Sequence, residues 1–188
     1  MWRTMCDSDQ LGPLVACDFV TTYADLMTSH DQVAALRARF PASTVLFIDR
    51  GLGDPLDVGT RADVEPGALT VAQVHDWAAG KLERGHRFVT HYSDQDELPA
   101  ILAAVTGLDT WSWVADPGQL AVPGHPAVIT QVLFAPPRGL HIDLSIVKND
   151  AWHPGQGATG WLAPVLAGML AADKSLSGAI AAVKAHKG

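Results

Sequence analysis

The stretch RADVEPGALTVAQVHDWAAGKLERGHRFVTHY, residues 61–92, decides how the rest of the chain is read. RADVE (61–65) reads as a short strand. A Pro-Gly turn follows, and LTVAQVHDWAAGKLERG (69–85) has the spacing of an amphipathic helix. Thr70 is its N-cap and Gln73 its third residue, the pattern of a capping box. Val74, Trp77, Ala78 and Leu82 make the inner stripe, and Gly85 supplies the stop. HRFVTHY (86–92) is again a strand. A helix set between two strands in this way is the unit that joins parallel neighbours in a sheet.

The alternation continues outward in both directions. Upstream, GPLVACDFVTTY (12–23) holds a strand over about 14–20, SHDQVAALRARF (29–40) is a helix stopped by Pro41, and STVLFIDR (43–50) is a strand apolar on both faces. GLGDPLDVGT (51–60) is loop. Downstream, SDQDELPAILAAVTG (93–107) is a helix with acids in its first turn, where the helix dipole favours them. Strands follow over 109–116, 127–134 and 140–147, then two Ala-rich helical segments over about 160–172 and 174–186. This order implies an α/β fold with a parallel sheet covered by helices, and either a barrel or an open doubly wound sheet fits it.

Composition narrows the function. The 188 residues suffice for one domain with a sizeable core, and 48% hydrophobic content argues for a globular chain. A net charge of −7 without a basic run disfavours nucleic-acid binding. The longest apolar run, GWLAPVLAGMLAA (160–172), is too short for a membrane span and contains Pro164. The N-terminal residues lack the apolar stretch of a signal peptide, so the expectation is a soluble protein made in a cytoplasm. Two cysteines are too few for a disulfide framework, and Cys17 reads as a buried structural thiol.

Ligands of α/β folds sit at the carboxyl ends of the strands. The polar residues expected there are Asp18, Asp63, Glu65, Tyr92, Trp113, Asp116, Gln131 and Asp143. Asp63 and Glu65, two apart on a strand, point to one side. If they share a pocket, repulsion raises one pKa and leaves a neutral acid beside an ionised carboxylate, the pairing that glycosidic cleavage uses. A D-x-E at a strand end is more often a solvated turn. Gln131 and Asp143 are harder to dismiss, because a polar group in an apolar strand is costly without partners. The eight histidines show no metal spacing, and neither a phosphate loop nor a dinucleotide fingerprint nor a nucleophile elbow is present.

Taken in order, VACDFV, ADVEPGALTVAQVHDWAAGKLERGHRFVTHYS, WSWVAD, ITQVLF and HIDLSIVKNDAW resemble the glycoside hydrolase family 25 lysozymes, closest to the lysozyme-like domains of actinobacterial proteins and of their phages' tail proteins. The resemblance runs from about Leu14 to Trp152 and implies a (β/α) TIM-like barrel. The short stretch between Asp18 and Asp63 implies a compact, incomplete one. Asp18, Asp63, Glu65 and Asp143 would then be the catalytic acids, with Glu65 the general acid. Tyr92, Trp113, Gln131 and Asp116 would bind sugar. The substrate implied is peptidoglycan glycan, cleaved between N-acetylmuramic acid and N-acetylglucosamine, with no metal or organic cofactor.

Residues 1–152 form the barrel domain in this reading, and 153–188 a helical extension. The broad apolar face of that extension packs on the barrel or on a tail or self-assembly partner. The expected setting is a virion or release at lysis. The alternative is a structural minor tail protein with a degenerate lysozyme-like fold and no catalysis.

Overall fold

The computed structural model describes residues 3–115, 129–133 and 142–147. Their fold is mixed α/β, with elements in the order β1 (Arg3–Ser8), β2 (Phe19–Tyr23), α1 (His30–Arg39), β3 (Thr44–Asp49), β4 (Arg61–Asp63), α2 (Val71–Glu83), β5 (Thr90–Ser93), α3 (Leu98–Ala104), β6 (Trp111–Ala115), β7 (Ile129–Leu133) and β8 (Asp143–Val147). A 3-10 turn, Ala24–Leu26, follows β2. The strands are hydrogen-bonded in chain order and β8 returns to β1, so the sheet curls round and closes. That closure excludes the open doubly wound arrangement. Strands β1 to β7 run parallel. β8 is antiparallel to both its neighbours, a departure from the all-parallel sheet that the alternation implies.

The three helices expected between residues 29 and 107 form, and local chemistry explains the ends. Ser29 Oγ caps α1 by accepting from Gln32 N at 3.3 Å. At α2, Gln73 Oε1 accepts from Thr70 N at 3.0 Å, the return half of the capping box. Gly85, with φ +86°, ends the turn beyond α2. The inner stripe of α2 differs in one place. Lys81 is buried beside Val74 and Ala78, while Leu82 is half-buried.

The inside of the barrel is filled by Met5, Phe19, Leu46, Ile48, Tyr92, Trp113, Ile129 and Val147. Outside, β2 and β3 pack on α1 through Val20, Val45, Phe47, Val33 and Leu36. β4 packs on α2 and α3 through Ala62, Val74 and Ile101. Both faces of β2 and β3 are therefore covered, which is why they read as apolar runs.

The incompleteness lies in the helical layer. β1 joins β2, and β3 joins β4, without an intervening α-helix. The first link is held by Arg39 at the end of α1, whose guanidinium donates to the carbonyls of Leu11, Gly12 and Leu14 at 2.6, 3.0 and 3.0 Å. Cys6 and Cys17 form a disulfide across the same link, in place of the free thiol expected at Cys17. The second link, residues 50–60, closes over Lys81 Nζ, which donates to Asp54 and Asp57 at 2.7 Å each. Gly59 is needed there, since a Cβ would stand 2.9 Å from that of Asp49.

β1 is the strand that the sequence reading misses. The strand expected at 14–20 begins instead at Phe19, as the second in the barrel. β1 carries Arg3 and Asp7 on the same inward face as Met5, so it lacks the apolar signature of its neighbours. The C-terminal helical extension expected over 153–188 lies outside the described residues. So do Asp116 and His141.

Candidate active site

One mouth of the barrel gathers carboxylates from different strands. Asp7 lies one residue before the end of β1, Asp63 ends β4, Glu65 lies two residues on, and Asp143 begins β8. All four line one cavity of about 140 Å³. Asp143 reaches this mouth because β8 runs antiparallel, which brings its first residue level with the strand ends. Asp7 and Asp143 are direct cross-strand partners. Such pairs hold their Cβ atoms roughly 4.5–5.5 Å apart.

Aromatic and amide groups complete the cavity. Tyr23 comes from the end of β2 and Tyr92 from β5, next to Asp63 in register. Trp113 forms the floor, 1% exposed, with its ring 4.8 Å from that of Tyr92 in an edge-on contact. Trp113 Nε1 donates to Ser145 Oγ at 3.1 Å, satisfying the buried indole. Gln131 is buried opposite Ser145 and also faces the cavity.

The electrostatics are those of crowded acids. Burial, and then the charge of Glu65, push the Asp63 carboxyl up to about 7, while a hydrogen bond from Tyr23 and the charge of Arg50 pull the other way. Glu65 is also raised, first by burial, although the Tyr92 hydroxyl opposes this. Asp7 is raised well above the ordinary range by burial and by the charges of Asp143, Asp63 and Glu65. Burial also raises Tyr23 and Tyr92, so both phenols stay protonated and able to donate. Asp7 Oδ1 and Asp63 Oδ1 are buried without a hydrogen-bond partner. A buried acceptor left unpaired is costly.

Asp63, Glu65, Tyr92, Trp113, Gln131 and Asp143 thus come together as expected. Asp18 does not. It precedes β2 at the opposite end of the barrel, where its Oδ2 accepts from Thr4 N at 2.8 Å and Thr4 Oγ1 at 3.0 Å. The misplacement follows from the missing strand: with β1 unread, β2 passes for the first strand and Asp18 for its terminal acid. Asp7 is the first-strand acid instead. RTMCDS (3–8), six residues of strand before a bend at Asp9-Gln10, is the signal that would have found it. Tyr23 was also missed, though it ends a strand next to a helical turn.

His91 stands in a row with Ala62 and Ser112 and does not line the cavity. Burial holds its imidazole down to about 4, so it is neutral. Among the described residues no group of His, Cys, Asp or Glu is arranged to hold a metal ion, and no helix is long and apolar enough to cross a membrane.

No family model matches the chain, and no curated protein or solved structure matches it either.

Proposed function

We propose that the chain is a lysozyme-like, TIM-type barrel domain of the glycoside hydrolase family 25 kind, which binds and hydrolyses peptidoglycan glycan. One observation carries the reading: four carboxylates from three separate parts of the chain meet at one mouth of the sheet, beside two tyrosines and a tryptophan. Glycosidic cleavage needs one neutral acid and one ionised carboxylate within about 10 Å. The Asp63–Glu65 pair supplies such a combination near neutral pH, because a carboxylate buried beside another keeps a proton.

Glu65 is the exposed member and reaches the leaving oxygen. Asp63, deeper and bonded to Tyr23, shares the proton and then stabilises the cationic sugar centre or orients the substrate's own N-acetyl group. Asp7 and Asp143 face the same sugar from the far wall. The setting that fits is a phage tail or lysis component acting on an actinobacterial wall.

A non-catalytic minor tail protein with a degenerate fold is the second reading. The cavity size favours it, since about 140 Å³ lies below the roughly 300–1,000 Å³ of ordinary ligand sites. Reducing ends released from purified actinobacterial wall decide between the two. Wild type is expected to release them and E65Q and D63N to lose at least a hundredfold in rate. Equal release from wild type and E65Q would leave the structural reading.

A further inference from the structure

Behind Tyr23 lies a charged pair that does not itself line the cavity. Arg50 follows the last residue of β3, and Asp25 sits in the 3-10 turn two residues after Tyr23. Arg50 Nε donates to Asp25 Oδ1 at 3.2 Å and Nη2 to Asp25 Oδ2 at 2.5 Å, a fork that fixes the plane of the guanidinium. The Arg50 Cζ then stands 4.3 Å from the centroid of the Tyr23 ring. A cation at that distance over a phenol face is attracted to the ring and polarises it, which strengthens its hydroxyl as a donor. Tyr23 and Asp63 line the same cavity, and a hydrogen bond from Tyr23 helps to hold the Asp63 carboxyl down.

We propose that Arg50, anchored by Asp25, is a positioning residue for the active-site mouth: it clamps the Tyr23 ring so that the hydroxyl is presented to the Asp63 carboxylate. The inference rests on reading that mouth as the site of hydrolysis. Arg50 does not line the cavity; beyond the direct pull of its charge on Asp63, it acts through Tyr23. An ordinary half-exposed ion pair contributes little to stability and has no reason to stack on a cavity residue. The clamp gives Asp63 a fixed direction as well as a partner, while its Oδ1 stays buried without one.

The titrating and charged groups around Asp63 are Glu65 beyond β4, Tyr23 on β2, Arg50 after β3, Tyr92 on β5, Asp7 on β1 and Asp143 on β8. Removing the clamp leaves the acids unopposed, so the Asp63 carboxyl becomes harder to ionise.

The test is a carboxyl carbon NMR titration of Asp63 in wild type, R50Q, Y23F and the R50Q/Y23F double variant. R50Q should raise the Asp63 midpoint by about one pH unit, and by less than half as much when Tyr23 is already Phe. R50K keeps the charge without the fork and should fall between wild type and R50Q. It also serves if R50Q does not fold. An R50Q shift of equal size with and without the Tyr23 hydroxyl, or no shift in either Arg50 variant, overturns the proposal. Wall hydrolysis is followed in parallel, and its alkaline limit should move up with the midpoint in R50Q. If wild type releases no sugar while the midpoint still responds, the hydrolysis reading fails and the clamp stands. If wild type hydrolyses wall and the midpoint is unmoved, the clamp alone fails.

Discussion

Two groups of aspartates in this molecule received opposite treatment. At the end of β3 and in the link that follows it, Asp49, Asp54 and Asp57 surround the buried ammonium of Lys81. Asp54 also accepts from Val58 N at 3.0 Å and Gly59 N at 2.7 Å, and Asp49 from Trp77 Nε1 at 2.8 Å. Burial opposes ionisation of Asp57, yet hydrogen bonds from Lys81, Arg84 and His86 outweigh it and hold the carboxyl below the usual range. At the barrel mouth Asp7, Asp63, Glu65 and Asp143 have each other for neighbours; the carboxyls of Asp7, Asp63 and Glu65 are raised, and one oxygen each of Asp7 and Asp63 is unpaired. Saturated acids hold a loop in place of a helix. Unsaturated acids store a preference for a ligand, at some expense to the fold.

The sharpest way to break the contrast is to remove the cation from the saturated group. Lys81→Met should cost about 3–5 kcal/mol, because it strands buried carboxylates, and denaturant unfolding would register it. Asp63→Asn should do the reverse at the mouth. The Asp63 carboxyl is held at about 7 in the fold, against the ordinary 3.8 of the unfolded chain. The stability it contributes is therefore present below 3.8 and lost as pH rises through 7. D63N removes that loss, so at pH 8 it should be more stable than wild type by about 2 kcal/mol, with little difference at pH 4. A variant less stable than wild type at pH 8 would refute the strained-site account.

Asp18 and Asp7 sharpen the same contrast from opposite ends of the barrel. Asp18→Asn weakens the buried bonds to Thr4 and should cost about 1–2 kcal/mol, with wall hydrolysis unchanged. Asp7→Asn should abolish hydrolysis at a smaller cost in stability. Equal loss of activity in both would return Asp18 to the site. The smallest effect is on pH dependence. Hydrolysis should fall as pH rises through about 7, where the Asp63–Glu65 pair gives up its last proton. A rate that climbs through that range would reassign the pair as bases.

Much of the fold was legible because its signals are local. The capping box at Thr70 and Gln73 and the apolar double face of β3 depend on neighbours in the chain. Lys81 lies on the inner stripe, seven residues after Val74, but lysine is so seldom buried that Leu82 reads as the better candidate. Only the carboxylates of Asp49, at the end of β3, and of Asp54 and Asp57 in the facing loop make the exception tolerable. Asp18 was assigned to the site because a strand with Arg3 and Asp7 inside a barrel does not look like a strand.

The sequence by itself determined the helices, most of the strands and the residue types of the mouth, since periodicity and caps act within a few residues. The tertiary structure alone decided that β8 turns back against β7 and so delivers Asp143 to Asp7. It also decided that Asp18 belongs to the far end. Register and strand direction are set by contacts between segments far apart in the chain, and no local pattern encodes which acids those contacts will bring face to face.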